Sequence, residues 1–441
     1  MKWILGTIGL LVLGLILKLS LLVYAMYVLL GILGLSRFFS RAWIGQLAAS
    51  RVCDQDVLEI GETAAMEVEV KNQSRLSIPW LILEDSLPRD ALVQMPRHLK
   101  AEGSRLTLTR LAPGETASLK HQVTFLMRGY YQLGPLLLET GDVFGLHRRF
   151  RVATEPHFAL VLPKVLPLQG YNLASRRPIG EIRVVHRLFE DPTRLADIRP
   201  YQPGDPLNRI HWRSTARTGQ IHSRVYESSR VAGAIFLLDF HERSYQGPGA
   251  TASAEMAIIT VASLAQAVFL MGQQIGLASN GRDAADHIRE EGWSAGFATR
   301  ADAQRRATEA QTNTRLRPVV VETRKGEDRF RQILETLARL EHTDGLEFSE
   351  MLQEVTSEIP RDATVVAVLR RVTPAMAASL GELARRGFLV TVIVVSIDIE
   401  PTPDWAQPPD WAQMLLAQNI NFRVVNTEES VTNLCAEAIV R

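Results

Sequence analysis

Apolar residues run from Trp3 to Leu35 with only small hydroxyls, glycines and one charge, Lys18, among them. As a single helix this stretch would be about 50 Å long, against a hydrocarbon core of roughly 30 Å. Folding back at Lys18-Leu19-Ser20 gives two arms of about 16 residues that nearly cross, with Lys18 at the far headgroups and both flanks on one side. The pattern therefore predicts a transmembrane helical hairpin over residues 1–40. From Arg51 to Leu162 the pattern becomes short alternating runs (AAMEVEVKNQS, IPWLILEDSLP, SRLTLTRLAPGE, ASLKHQVTFLMRGYYQLGP, LLLETGDVF, PHFALVLPKV) punctuated by Gly and Pro. That spacing, with no amphipathic helix between the runs, predicts an antiparallel β-sandwich over 41–165. Asn72-Gln73-Ser74, Pro113-Gly114-Glu115 and Gly141-Asp142 supply turns, since Gly tolerates positive φ, Pro presets φ, and Asn or Asp bonds its own backbone.

After a connecting segment at 166–230 the period changes again. AIFLLDF (234–240) reads as a buried strand, AEMAIITVASLAQAVFLMGQQ (254–274) as a long helix, and IGLASNG as the next strand. Alternation continues through LRPVVVET, FRQILETLARL, TVVAVLR (364–370), AMAASLGELARRG, LVTVIVVS (389–396), WAQMLLAQN, FRVVN and a last helix holding Cys435. Strand, helix and strand in that order predict a doubly wound α/β domain over 231–441, with a parallel sheet. Any site in it would lie past the carboxyl ends of the strands, where Asp239, Arg370, Arg371 and Ser396 fall. The polar, Ala/Arg-rich stretch 282–315 reads as a surface excursion.

Composition narrows the function classes. A chain of 441 residues with a formal net charge of +1 has no global electrostatic reason to bind nucleic acid. Seven of the 49 basic residues are lysine, so arginine is common everywhere and a local arginine count means less than usual. Cys53 and Cys435 lie far apart without ligand-spaced neighbours and read as buried small hydrophobes; they suggest neither zinc nor a disulfide framework. No HExxH, GxxxxGK[ST] or GxSxG is present. Lys2 before the apolar segment and Arg37, Arg41 and Arg51 after it place both flanks, and the bulk of the chain, in the cytoplasm by the positive-inside rule. Lys18 interrupts the apolar core and a second arm follows at once, which disfavours a cleaved signal peptide. A single tilted span with the bulk outside is the alternative.

The densest polar cluster is RPYQPGDPLNRIHWRSTARTG, 199–219. Pro203-Gly204 reads as a turn, and Asp205 followed by Pro206 as a helix N-cap and first position. Thr218-Gly219 reads as the helix end. On that helix Arg209, Arg213 and Arg217 recur every four residues as one basic stripe. Read instead as a strand, Ile210 and Trp212 share a face. Beyond it, Ile221, Ser223 and Val225 alternate with His222, Arg224 and Tyr226, which predicts a strand entering the α/β sheet. Four roles fit. The segment could be a domain joint, with Trp212 filling the crevice and the arginines pairing with Glu190, Asp191 or Asp197. It could be a docking surface for an acidic partner or an unfolded client. It could be an anion site at Gly204, opposed by Asp205. Finally, His211 with Asp205 could form a catalytic pair, for which no nucleophile is placed. The residues that carry it under any of these are Arg199, Tyr201, Gly204, Asp205, Arg209, His211, Trp212, Arg213 and Arg217.

The apolar hairpin, a β region ending in RGYYQLGPLLLETGDVFGL (128–146), RPYQPGDPLNRIHWRSTARTGQIHSRVYE (199–227) and a strand ending in Asp239, in that order, resemble the bacterial family of domain of unknown function 58. The resemblance covers almost the whole chain. It implies a C-terminal von Willebrand factor type A-like domain, frequent company with MoxR-type AAA+ ATPases, and the bacterial inner membrane as location. Type A domains that bind Mg²⁺ carry DxSxS after the first strand, because a hard cation needs oxygen ligands. Here the corresponding positions are Asp239, His241 and Arg243, with Arg370 and Arg371 after a later strand, where guanidinium groups repel a cation. Glu242 and Ser244 could supply oxygens only in a shifted register. The expectation is therefore no metal and no cofactor, in a membrane-anchored, non-enzymatic assembly factor that binds proteins. The rivals are a hydrolase or nucleotide-binding protein working at 199–219, and an extracytoplasmic adhesin-like protein.

Overall fold

The computed structural model describes residues 2–93, 95–143, 145, 147–168, 190–201, 210–228, 233–286, 317–361, 363–397 and 409–434. They divide into two compact units, one through Val161 and one from Leu162.

The first unit opens with helices α1 (Lys2–Ile16) and α2 (Ser20–Gly45), which pack on one another. The reversal between them falls at Lys18, the charged residue of the apolar run, which takes a left-handed φ of 55°. Leu17 N–H donates to Leu13 O at 2.9 Å and Leu19 N–H to Gly14 O at 3.0 Å, so the turn closes on the last carbonyls of α1. Among the described residues two helices are long and apolar enough to cross a membrane, Ser20–Gly45 and Ala250–Leu270. Of their apolar windows 11% and 61% respectively are buried against protein, so the second packs as a core helix while the apolar window of α2 is mostly uncovered.

Eleven strands follow: β1 (Leu47–Cys53), β2 (Val57–Glu59), β3 (Thr63–Asn72), β4 (Ile78–Asp85), β5 (Leu99–Gly103), β6 (Leu106–Leu111), β7 (Thr116–Phe125), β8 (Gly129–Leu133), β9 (Leu136–Gly141), β10 (Arg148–Val152) and β11 (His157–Leu162), with a short helix α3 (Arg89–Val93) between β4 and β5. They form two antiparallel four-stranded sheets, β1-β3-β7-β5 and β10-β9-β4-β6, and a three-stranded sheet β2-β11-β8. Period-2 alternation sends Ala64, Met66, Val68 and Val70 of β3 inward. Val68, Val70 and Leu119 share one core with Leu81, Leu83, Leu136 and Leu138 of the second sheet. β1, β2, β5 and β10 were not among the predicted runs; β1 and β10 carry arginines that blur the alternation.

A buried ionic group joins the two four-stranded sheets. Arg51 of β1 pairs with Asp85 at the end of β4, and His121 Nε2 of β7 lies 3.3 Å from the same carboxylate. Arg51 also donates to Leu133 O. A Cβ on Gly134, whose φ is +88°, would fall onto the Arg51 guanidinium, so the LGP of the 128–146 motif is fitted around this arginine. In the same motif Tyr131 Oη donates to Met127 O and Arg128 O, both at 3.0 Å. Asp142 Oδ1 accepts from His147 N at 2.6 Å. Cys53 is half-buried rather than core, its thiol donating to Gln55 O, and burial raises its pKa.

α2 is built into this unit. Leu33, Ser36, Ser40 and Trp43 recur at steps of three and four on one buried face, packed on β9 and β10. Ser36 Oγ lies 2.9 Å from His147 Nδ1, and Trp43 joins the core. Arg151 of β10 donates to Ile44 O (3.0 Å) and Leu47 O (3.1 Å), covering carbonyls at the helix end.

In the second unit β12 (Glu190–Pro200), α4 (Trp212–Thr218) and β13 (His222–Ser228) precede a six-stranded sheet. The sheet uses β14 (Gly233–Leu238), β15 (Gln274–Ser279), β17 (Val319–Arg324), β19 (Ala363–Leu369), β20 (Leu389–Val395) and β21 (Asn421–Val425), in the order β17-β15-β14-β19-β20-β21. Two-residue strands β16 (Arg282–Asp283) and β18 (Leu340–Glu341) pair beside it. Its helices are α5 (Ala250–Leu270), α6 (Glu327–Arg339), α7 (Phe348–Val355), α8 (Pro374–Arg385), α9 (Asp410–Ala417) and α10 (Glu428–Thr432). Alternate β14 residues serve opposite faces: Ala234, Phe236 and Leu238 pack with α5 and α6, Ile235 and Leu237 with α7, α8 and α9. Both faces are thus covered by helices, which explains strands apolar at every position.

Three expectations are corrected. β17 runs antiparallel to β15, at the sheet edge, where half-exposed polar residues at its end are tolerated without a crossover. β13 does not join the large sheet; its ladder is taken up by β12. α5 starts at Ala250, four residues early, directly after Gly249 at φ 67°, and stops before Gly272 at φ 71°. α7, with its Glu347/Glu350 capping box, was missed. Cys435 lies outside the described residues.

Candidate functional site

The 199–219 motif sits on the β12–β13 pair, where Arg199 opposes Ser223 and Pro200 opposes His222. Tyr201 N–H donates to Ile221 O at 2.8 Å and continues the ladder. The chain returns to the same strand at Ile210, which bridges Ser223, and His211 N–H donates to His222 O at 2.9 Å. A residue in that bridge is not helical, so the described helix begins at Trp212; Asp205-Pro206, where the capping signal placed its start, lie outside the described residues. Its cap is His211, whose Nδ1 accepts from Ser214 N at 3.1 Å. Gly219, left-handed at φ 72°, closes it as expected, donating to Thr215 O. Thr215 Oγ1 accepts from His222 N at 3.1 Å and fastens α4 to β13.

The arrangement decides what each residue can do. His211 Nδ1 is committed to a backbone N–H, so the neutral ring carries its proton on Nε2 and is a poor general base. Arg213 and Arg217 are exposed one turn apart on α4. Trp212, expected to fill a crevice, is 67% exposed, and Ile221 beside the helix end is 50% exposed. Arg199 donates to its neighbour's carbonyl, Pro200 O. Gly204, Asp205 and Arg209 lie outside the described residues, as do the side chains of Glu190, Asp191 and Asp197.

At the carboxyl edge of the large sheet Asp239 is fully buried. Its Oδ1 accepts from Asn280 Nδ2 at 2.9 Å and His241 N at 3.3 Å, and the carboxyl also interacts with the Ser244 hydroxyl. Burial raises its pKa above the usual aspartate value, more than Ser244, Asn280 and His241 lower it. Asn280 is the hub that sequence reading missed: its Oδ1 takes Phe240 N at 2.7 Å and its Nδ2 also reaches Leu346 O at 3.1 Å. Only its place after a strand, in SNG, hinted at this. His342, also missed, stacks on Phe240 with centroids 4.2 Å apart.

These residues do not fit a divalent cation. His241 Nδ1 accepts from Arg243 N at 3.1 Å, and Arg243 pairs with Glu347 at 2.9 Å. Arg370 is buried and clamps the loop after β14 through Gln246 O and Pro248 O, each at 3.0 Å, with its guanidinium over the Tyr245 ring. Arg371 reaches Gln246 O as well. Ser396 is buried at the end of β20. Among the described residues no three His, Cys, Asp or Glu side chains converge. A fully desolvated carboxyl already engaged by Asn280, His241 N and Ser244 leaves little of the open oxygen shell that a hard cation needs.

Residues 197–295, which contain this motif and the Asp239 loop, match the family described as "Protein of unknown function DUF58". The chain is 23% identical over 237 residues to the uncharacterized protein YeaD of Bacillus subtilis strain 168, an alignment covering 53% of this chain. It spans 56% of that relative, little more than half its length. Among solved structures, a CARDB domain from Pyrococcus furiosus is 16% identical, covering 26% of this chain and 87% of that one, at a TM-score of 0.17. Proximal thread matrix protein 1 from the mussel byssus is 14% identical, covering 47% and 46%, at 0.24. Both are too distant to bear on this chain.

Proposed function

From the premise that this chain belongs to the DUF58 family, we propose that it is a membrane-anchored, non-enzymatic assembly factor that docks a protein partner on α4. The observation that carries the reading is the exposed Trp212 with Arg213 and Arg217 beside it. Trp and Arg are the side chains that dominate protein interfaces, and an unburied Trp held on a capped helix is placed for contact. The resemblance to chains that accompany MoxR-type AAA+ ATPases makes an acidic surface of such an ATPase the partner of this reading. In it the helical pair α1–α2 is an inner-membrane hairpin with the bulk of the chain cytoplasmic. The two four-stranded sheets around one core form a β-sandwich, and the helix-covered sheet is a von Willebrand factor type A-like domain working without a metal. Support for a non-catalytic role comes from His211 being used as a cap and from Asp239 being sequestered.

The test is co-purification from membranes with the wild-type chain and with Trp212→Ala and Arg213→Glu/Arg217→Glu. The wild type should recover an ATPase, and each variant should lose at least about tenfold, as expected for hot-spot residues. Unchanged recovery with the variants, or phosphoester or nucleotide turnover that His211→Ala abolishes, would refute the reading.

A further inference from the structure

The last turns of α2 have two faces. Ser36, Ser40 and Trp43 are buried on the β unit. On the opposite side Gly34, Arg37, Phe38, Arg41 and Ala42 form one open, shallow face of the helix. Phe38 is 65% exposed, and neither arginine has a side-chain partner among the described residues.

Depth identifies what meets this face. No charged residue lies between Lys18 and Arg37. At 1.5 Å per helical residue that interval is about 28 Å, close to the roughly 30 Å of a hydrocarbon core. With Lys18 at one boundary, Arg37 stands at the other, and Arg41 one turn further out, in the phosphate layer. Gly34 leaves room beside them, and Phe38 offers an aromatic face at the depth where aromatic rings settle. Guanidinium groups bind phosphate oxygens in a bidentate fork.

We propose that Arg37 and Arg41, on the open face that Gly34 leaves bare and Phe38 flanks, bind the phosphate of an anionic phospholipid of the membrane that α2 crosses. This rests on the membrane-anchored reading above. The site would fix α2, and the β unit built onto it, at one depth and rotation.

Native mass spectrometry of the full chain in detergent, titrated with phosphatidylglycerol or phosphatidylcholine of equal chain length, tests it. The wild type should retain phosphatidylglycerol about fivefold or more over phosphatidylcholine. Arg37→Gln/Arg41→Gln should abolish the preference, Gly34→Leu should weaken it with both charges kept, and Arg110→Gln, exposed on β6, should leave it unchanged. Equal retention of both lipids by the wild type, or a preference that survives the double substitution, overturns the site while the membrane span stands. Retention of neither lipid overturns the membrane reading and the site together.

Discussion

Burial acts in opposite directions on the protonation of Asp239 and His121. The Asp239 pKa is raised, so the native state holds a proton that the unfolded chain releases above its ordinary value. Stability is therefore lost as pH rises from that value through the native pKa. Asp239→Asn keeps an oxygen for Asn280 and His241 N while removing the buried charge. It should raise stability at pH 8 more than at pH 4, as read by thermal unfolding of the full chain; an equal effect at both pH values would show that the carboxyl does not titrate with folding. His121 is pushed down to about 4, by burial first and then by the charges of Arg51 and Arg105. The unfolded chain binds its proton below about 6.5 and the native chain only below about 4. The native state should lose up to about 3 kcal/mol as pH falls across that window. His121→Asn should flatten this slope; an equally steep acid loss in the variant would show that another group is responsible.

Among elements, the decisive one is α2, a helix whose first half is apolar all round and whose last turns have a buried face. Arg151 covers the carbonyls of Ile44 and Leu47, and Ser36 meets His147, so helix and β unit share bonds as well as core. Arg151→Ala should leave those carbonyls uncovered and cost about 1–2 kcal/mol. Faster amide hydrogen exchange should then appear in residues 40–48 and not in β3. Unchanged exchange there would mean that Trp43 packing alone holds the joint. α4 makes the converse point. The described helix starts at Trp212, six residues after the Pro206 to which the capping signal pointed, because a β-bridge at Ile210 holds the chain extended just before it.

For the whole molecule, sidedness determines which partners are physically possible. Arg37 and Arg41 follow the apolar run and Lys2 precedes it, so both flanks of the hairpin should face the cytoplasm. Protease added to right-side-out vesicles should leave the chain intact and should cleave it in inverted ones; cleavage in the right-side-out case would favour the adhesin-like alternative.

Local periodicity and spacing in the sequence alone set the apolar length of the α1–α2 pair and its reversal at Lys18, the alternation of β3 and β7, the all-apolar strands β14 and β19, and the Gly219 helix end. Tertiary structure decided what depends on residues distant along the chain. Arg51, Asp85 and His121 converge only because β1, β4 and β7 come together across two sheets. Asp239 loses its solvent to Asn280 and the Arg370-clamped loop, β17 takes its direction from the edge it joins, and Trp212 stays exposed on an α4 that Thr215 fastens to β13. Hydrophobic period is a property of neighbouring residues, whereas desolvation and charge pairing belong to the contacts that folding creates.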